Sequence, residues 1–271
     1  MSTNKSLTKK LTESAVLLAL ATVLSFVTLL KLPYGGSITL CSTASIIILS
    51  YRHGTVWGVF SAFVFSLIQL LLGLSNLSYA TSATAAIAII MLDYIVAFSL
   101  IGLGGIFKRT FNSQTYALVL GTLISCALRY ICHVISGCTV WAGVSIPNSQ
   151  AIIYSLAYNA TYMLPELLVT IIGITYLSQA VNFSEPKLIR KTSNTKNTKS
   201  FDFKTVGLTF GAAALIWDIL LIAAKLQNPE TGEFNITGLL NVNTTALAVV
   251  TLVGGIVCAI FCVISSKYSK K

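Results

Sequence analysis

Apolar runs about twenty residues long recur along this chain, and they decide what it can fold into. A helix needs about 20 mostly apolar residues to cross the hydrocarbon core of a bilayer. Runs of that kind fall near 11–30, 55–74, 85–107, 114–138, 150–181, 204–226 and 244–266, with a shorter one near 38–51. Only 10% of the residues are charged, against about a quarter in a soluble domain. With a mean hydropathy of +0.82, the outer face of the folded chain suits lipid. The net charge of +10 does not point to nucleic acid, because the bases sit in short clusters between apolar runs, as in cytoplasmic loops. The six cysteines form no CxxC pair, and Cys132 and Cys138 lack zinc-site spacing. No metal and no cofactor is expected. The first run is long and lacks a small-residue cleavage site, so it reads as a first span rather than a cleavable leader.

The expected fold is all-α and membrane-embedded, with eight segments. Residues 1–183 carry six of them, 184–204 form a basic, solvated cytoplasmic linker, and 205–271 carry two more. Turn formers at 31–36, the break at Arg52-His53-Gly54 and the polar stretch 75–84 punctuate the first part. If the amino end is cytoplasmic, one side collects Lys5, Lys9, Lys10, Arg52, Lys108, Arg109, the linker bases and the terminal lysines. The other side receives Lys31 and Lys225. That bias sets the orientation and makes the chain a multi-pass protein of a cell membrane.

Charge at the centre of a spanning helix costs at least about 2.5 kcal/mol, so it calls for a partner or a function. Asp93, Arg129, Glu166 and Asp218 interrupt apolar stretches in this way. Arg129 has Glu166 and Asp93 as possible partners. His133, four residues beyond Arg129, shares its face. Asp93-Tyr94 places a carboxylate beside a phenol, a pair that can hold a cation or an amino-heterocycle. His133, Gly137 and Trp141 follow at spacings of four, with Gly137 leaving a gap a flat ligand can enter. Tyr154, Tyr158, Asn159 and Tyr162 come next. A cation beside such rings gains about 0.5–2 kcal/mol. Rings also gather at membrane interfaces without binding anything, and both readings stand on spacing alone.

Residues 7–181 resemble the substrate-binding S-component of an energy-coupling factor (ECF) vitamin transporter, specifically the thiamine-specific kind. The resemblance is carried by Tyr130-Ile131-Cys132-His133-Val134-Ile135-Ser136-Gly137, then Trp141, then Tyr154-Ser155-Leu156-Ala157-Tyr158-Asn159. It implies a six-transmembrane-helix S-component bundle, here with two extra C-terminal transmembrane helices. It implies a thiamine pocket formed by Asp93, Tyr94, His133, Gly137, Trp141, Tyr154 and Asn159. Asp93 stands where the family member has Glu. Tyr34 is the candidate lid residue of the first outer loop, with Tyr79 a weaker one. Ala15 and Ala19 match the Ala-x-x-x-Ala patch by which the family docks on its coupling subunit, and small residues four apart do let helices approach closely in lipid.

The sequence holds no GxxxxGK[ST] nucleotide-binding loop. The resemblance therefore implies a non-enzymatic thiamine-binding subunit in a bacterial plasma membrane. It would be energised by a transmembrane coupling subunit and two ATPase subunits. Two alternatives remain open on the residues: an S-component for another vitamin or thiamine precursor, and a stand-alone ion-coupled transporter using Asp93, Glu166 and Asp218 as a proton path. The last two helices lie outside the resemblance, and Gly254 and Gly255 suit close packing of the eighth.

Overall fold

The computed structural model describes residues 2–32, 35–140, 151–191, 203–226 and 235–268. Eight helices dominate: α1 (Ser2–Phe26), α2 (Ser42–His53), α3 (Thr55–Leu72), α4 (Ala83–Arg109), α5 (Gln114–Thr139), α6 (Ala151–Ala180), α7 (Phe203–Leu226) and α8 (Thr244–Tyr268). Among the described residues the six from α3 to α8 are long and apolar enough to cross a membrane. Helix α2, with 12 residues, is about 18 Å long, well short of the roughly 30 Å core.

The apolar run at 11–30 does not stay helical to its end. Helix α1 stops at Phe26, and Thr28–Lys31 (β1) pairs antiparallel with Ser37–Thr39 (β2). Thr28 lies opposite Thr39, Leu30 opposite Ile38 and Lys31 opposite Ser37. Val27 and Thr28 are β-branched and favour extended backbone, and between the strands Gly35 takes a φ of 96° that suits glycine. The second run accordingly begins its helix at Ser42, after Cys41 at φ 56°, and Ile38 belongs to the hairpin.

Helix α4 runs through the middle of the bundle against α2, α3 and α5. Two features let it do so. The backbone of Gly102 lies directly on that of Gly58 and Val59, and Gly121 of α5 lies on the carbonyl of Gly104. The stretch Leu100–Arg109 is wound as a 3₁₀ helix. There Ser50 of α2 donates to the Gly102 carbonyl at 2.5 Å and accepts from the Gly105 amide at 2.9 Å. A Cβ at Gly121 has no room against the Gly104 carbonyl. Gly121→Ala is therefore expected to destabilise the protein by about 1–3 kcal/mol, the range for overpacking, read as a lowered melting temperature in detergent.

At the end of the bundle where α2 meets α3, polar contacts gather. Arg52 makes a forked contact with Glu13 of α1, at 2.9 Å to Oε1 and 2.8 Å to Oε2. It also donates to the carbonyls of Phe183 and Glu185 at 3.1 and 3.2 Å. Lys108 donates to the Arg52 carbonyl at 3.1 Å. Gln114 donates to the carbonyl of Val181 at 2.8 Å and accepts from the Phe183 amide at 2.8 Å. The polar stretch from 184 begins as an exposed strap, folded back where Val181–Asn182 pairs with Ile189–Arg190. The docking candidates Ala15 and Ala19 both lie on an exposed face of α1.

Helices α7 and α8 form a tight hairpin that packs on α6. Gly254 meets Ala214, whereas Gly255 faces open space. Phe210 and Phe261 stack at 5.9 Å. Asp218, 6% exposed, accepts a 2.6 Å hydrogen bond from Thr251 across the hairpin.

Candidate functional site

A cavity of about 500 Å³ opens at the other end of the bundle, between the β1–β2 hairpin and helices α3, α4, α5 and α6. That volume lies in the usual range for a small-molecule pocket, roughly 300–1,000 Å³. Its wall on α4 is unusual backbone: Ile90–Val96 is a π-helical turn. With more than four residues per turn, consecutive side chains splay less than in an α-helix, and π turns recur at functional sites. Asp93 and Tyr94, although adjacent, both line the cavity.

Both carboxylate oxygens of Asp93 are engaged from α5. His133 Nδ1 lies 3.0 Å from Oδ1, and the Ser136 hydroxyl donates to Oδ2 at 2.7 Å. Because a carboxylate only accepts, Nδ1 carries the hydrogen, which leaves Nε2 as the atom that offers a lone pair whenever the ring is neutral. His133 Nε2 is buried with no hydrogen-bond partner among the described residues, and His133 lines the cavity. Such an atom stands ready for a donor on a guest.

Tyr94 is fixed from α3 and the loop beyond it. Its hydroxyl donates to the Gly73 carbonyl at 3.1 Å and accepts from Asn76 Nδ2 at 2.9 Å. On α6, Asn159 donates to the Ser155 carbonyl at 2.9 Å and accepts from the Tyr162 hydroxyl at 2.6 Å. Tyr162 meets His133 edge-on at 6.4 Å between ring centres, and Tyr158 at 5.7 Å. Gly36 of the hairpin loop lies against both tyrosines: a Cβ there would fall 2.9 Å from Tyr162 Cδ1.

Arg129 also lines the cavity and is held there by an ion pair. Arg129 NH1 donates to Glu166 Oε2 at 2.8 Å, and Thr39 of β2 donates to Oε1 at 2.6 Å. The guanidinium also sits 4.5 Å from the Phe98 ring centre. Arg129 and Glu166 are 7% and 5% exposed, so each satisfies a charge the other could not leave unpaired. Of the two partners open to Arg129 on spacing, it takes Glu166, while Asp93 takes His133.

Asp93, Tyr94, His133, Gly137 and Asn159 therefore line one cavity. Tyr154 does not line it: its ring is buried against Leu226 with Ile222 and Ile236. The reason is angular, since five residues put Tyr154 about 140° round the helix from Asn159. Tyr79 is 41% exposed and lies outside the cavity lining. Trp141 and Tyr34 fall outside the described residues. Ser136 and Asn76 are the contributors that spacing alone passed over. Ser136 carried a signal, three residues from His133 on the same face; Asn76 sits in a polar loop with none.

The chain is similar to known proteins. The thiamine transporter protein family (Thia_YuaJ) matches residues 11–184. The thiamine transporter ThiT of Bacillus subtilis is 32% identical over 179 residues, covering 62% of this chain and 89% of that protein. A solved structure of ThiT from Listeria monocytogenes superposes with a TM-score of 0.52 at 26% identity, covering 64% of this chain and 94% of that one. A family match over residues 11–184, more than half of the length, means that this chain belongs to the thiamine transporter family.

Proposed function

We propose that the chain captures thiamine in the cavity between α4, α5 and α6 and delivers it across the membrane as the substrate-binding subunit of an ATP-driven ECF transporter. The observation that carries this reading is the Asp93–His133 pair at the cavity wall. Thiamine is a cation of two flat rings, a thiazolium with a hydroxyethyl arm and an aminopyrimidine, joined by a methylene. Asp93 supplies negative charge for the cationic ring, and at about 4 Å such a pair is worth about 4 kcal/mol at an effective dielectric of 20. His133 Nε2 can accept from the exocyclic amine. Tyr158 and Tyr162 offer ring faces, with Trp141 and Tyr34 proposed to complete the enclosure.

In this reading residues 1–183 form the binding unit and 205–271 an added pair of transmembrane helices. The amino end is cytoplasmic, the cavity opens outward, and the Arg52 strap faces the cytoplasm. In this reading the chain acts by binding and not by covalent chemistry, and its sequence holds no nucleotide-binding loop. Ala15 and Ala19 are proposed to meet the coupling subunit, which two ATPases drive. Co-purification from the native membrane tests this: the chain should bring down one membrane subunit and two ATPases, and thiamine uptake should stop when the ATPases are deleted. Uptake that survives the deletion and collapses with the proton gradient would instead place the chain among ion-coupled transporters.

Gly73 gives a local check. A Cβ there would occupy the position of the Tyr94 hydroxyl. Gly73→Ala is expected to displace Tyr94 and weaken thiamine binding about tenfold, a loss of about 1.4 kcal/mol, measured by titration calorimetry.

A further inference from the structure

The family match ends at residue 184, so α7 and α8 lie outside it. They meet α6 along its length: Tyr176 and Gln179 bond to Thr209 and Thr205 at the end away from the cavity. At the cavity end, Leu226 and Ile222 of α7, with Ile236 beyond it, enclose Tyr154 and pack on Tyr158. One turn and a half deeper, Leu220 packs against the cluster of Ile38, Tyr162 and Met163. Tyr158 and Tyr162 are both cavity-lining rings. Through Leu220, Ile222 and Leu226, α7 joins the two clusters to which these rings belong.

We infer that the α7–α8 hairpin is a buttress for the binding cavity and that Leu220 is a positioning residue for Tyr162 and Tyr158. This deepens the thiamine reading and rests on it for the identity of the guest. Three observations join in it. The Tyr162 hydroxyl holds Asn159 at 2.6 Å, so a shift of the ring moves a polar group of the cavity as well as its aromatic face. Gly36 lies on Tyr162 and Tyr158 from the hairpin side, so the rings are held by both the β1–β2 loop and α7. The hairpin also leaves the Ala15 and Ala19 face of α1 exposed, so a buttress on α6 does not compete with a partner on α1. Rings held in this way lose less freedom when a guest arrives, which favours binding.

The test uses the full chain in detergent. Leu220→Ala removes the side chain packed against the Tyr162 cluster, Leu220→Met restores its bulk, and Leu252→Ala trims an outward residue of α8 that is 63% exposed. Thiamine affinity is measured with the melting temperature of the ligand-free protein. A second arm labels the chain with 3-fluorotyrosine and follows the Tyr162 fluorine resonance without ligand, identified by Tyr162→Phe. Leu220→Ala should weaken thiamine about five- to tenfold and shift or broaden the Tyr162 resonance. The melting temperature should stay near that of Leu252→Ala, and Leu220→Met should recover both signals. An unmoved resonance with unchanged affinity overturns the buttress. So does an affinity loss that only follows a falling melting temperature and that Leu220→Met leaves in place. If the wild type binds no thiamine, the functional reading falls, and the fluorine arm alone decides whether Leu220 positions the ring. Should Leu220→Ala fail to fold, Leu220→Val gives the same comparison with a smaller cavity.

Discussion

Asp93→Asn is expected to weaken thiamine binding by about 2–4 kcal/mol, roughly 30- to 1,000-fold, the range for removing one member of a buried, hydrogen-bonded charge pair. The substitution keeps the shape and takes away the charge. It also removes an acceptor: the carboxylate takes hydrogen bonds from His133 at 3.0 Å and Ser136 at 2.7 Å, and an amide can accept on one side only. One of the two donors, His133 or Ser136, then loses its acceptor, so the change reaches beyond the charge itself. Asp93→Glu keeps the charge and is expected to hold affinity within about tenfold. Titration calorimetry on the purified variants reads both. Near-wild-type binding by Asp93→Asn would remove Asp93 from the recognition of thiamine.

The second large effect is on stability. Arg129→Ala leaves Glu166 buried with only the Thr39 hydroxyl, and an unpaired buried charge of this kind costs about 3–5 kcal/mol. The loss reaches beyond one pair, because Glu166 joins α6 to β2 and Arg129 joins α5 to Phe98 of α4. The expected drop in melting temperature is on the order of 10 °C. Arg129→Met combined with Glu166→Leu should recover most of it, since apolar side chains of similar volume often replace a buried ion pair at no loss. A double variant no more stable than Arg129→Ala would mean that the pair does more than neutralise itself.

The sequence made some of this legible and hid the rest for physical reasons. Long helices were readable because lipid demands long apolar runs, and α5 and α6 begin and end within one or two residues of those runs. The β1–β2 hairpin was hidden because Leu29 and Leu30 continue an apolar run that a short strand and a helix share equally well. The π turn at Ile90–Val96 leaves no mark in composition, yet it sets both Asp93 and Tyr94 on the cavity. His133, Gly137 and Asn159 could be placed because helical spacing carries from one turn to the next. Only the resemblance sets Tyr154 in the pocket; the five-residue spacing already turns it about 140° from Asn159, and its ring packs on Leu226 of α7.

A structure determined with saturating thiamine tests the central claim most directly. The account predicts one thiamine in the cavity, its cationic ring beside the Asp93 carboxylate and its amine within hydrogen-bond reach of His133 Nε2. Thiamine seated on any other surface, or an empty cavity at saturation, would contradict it.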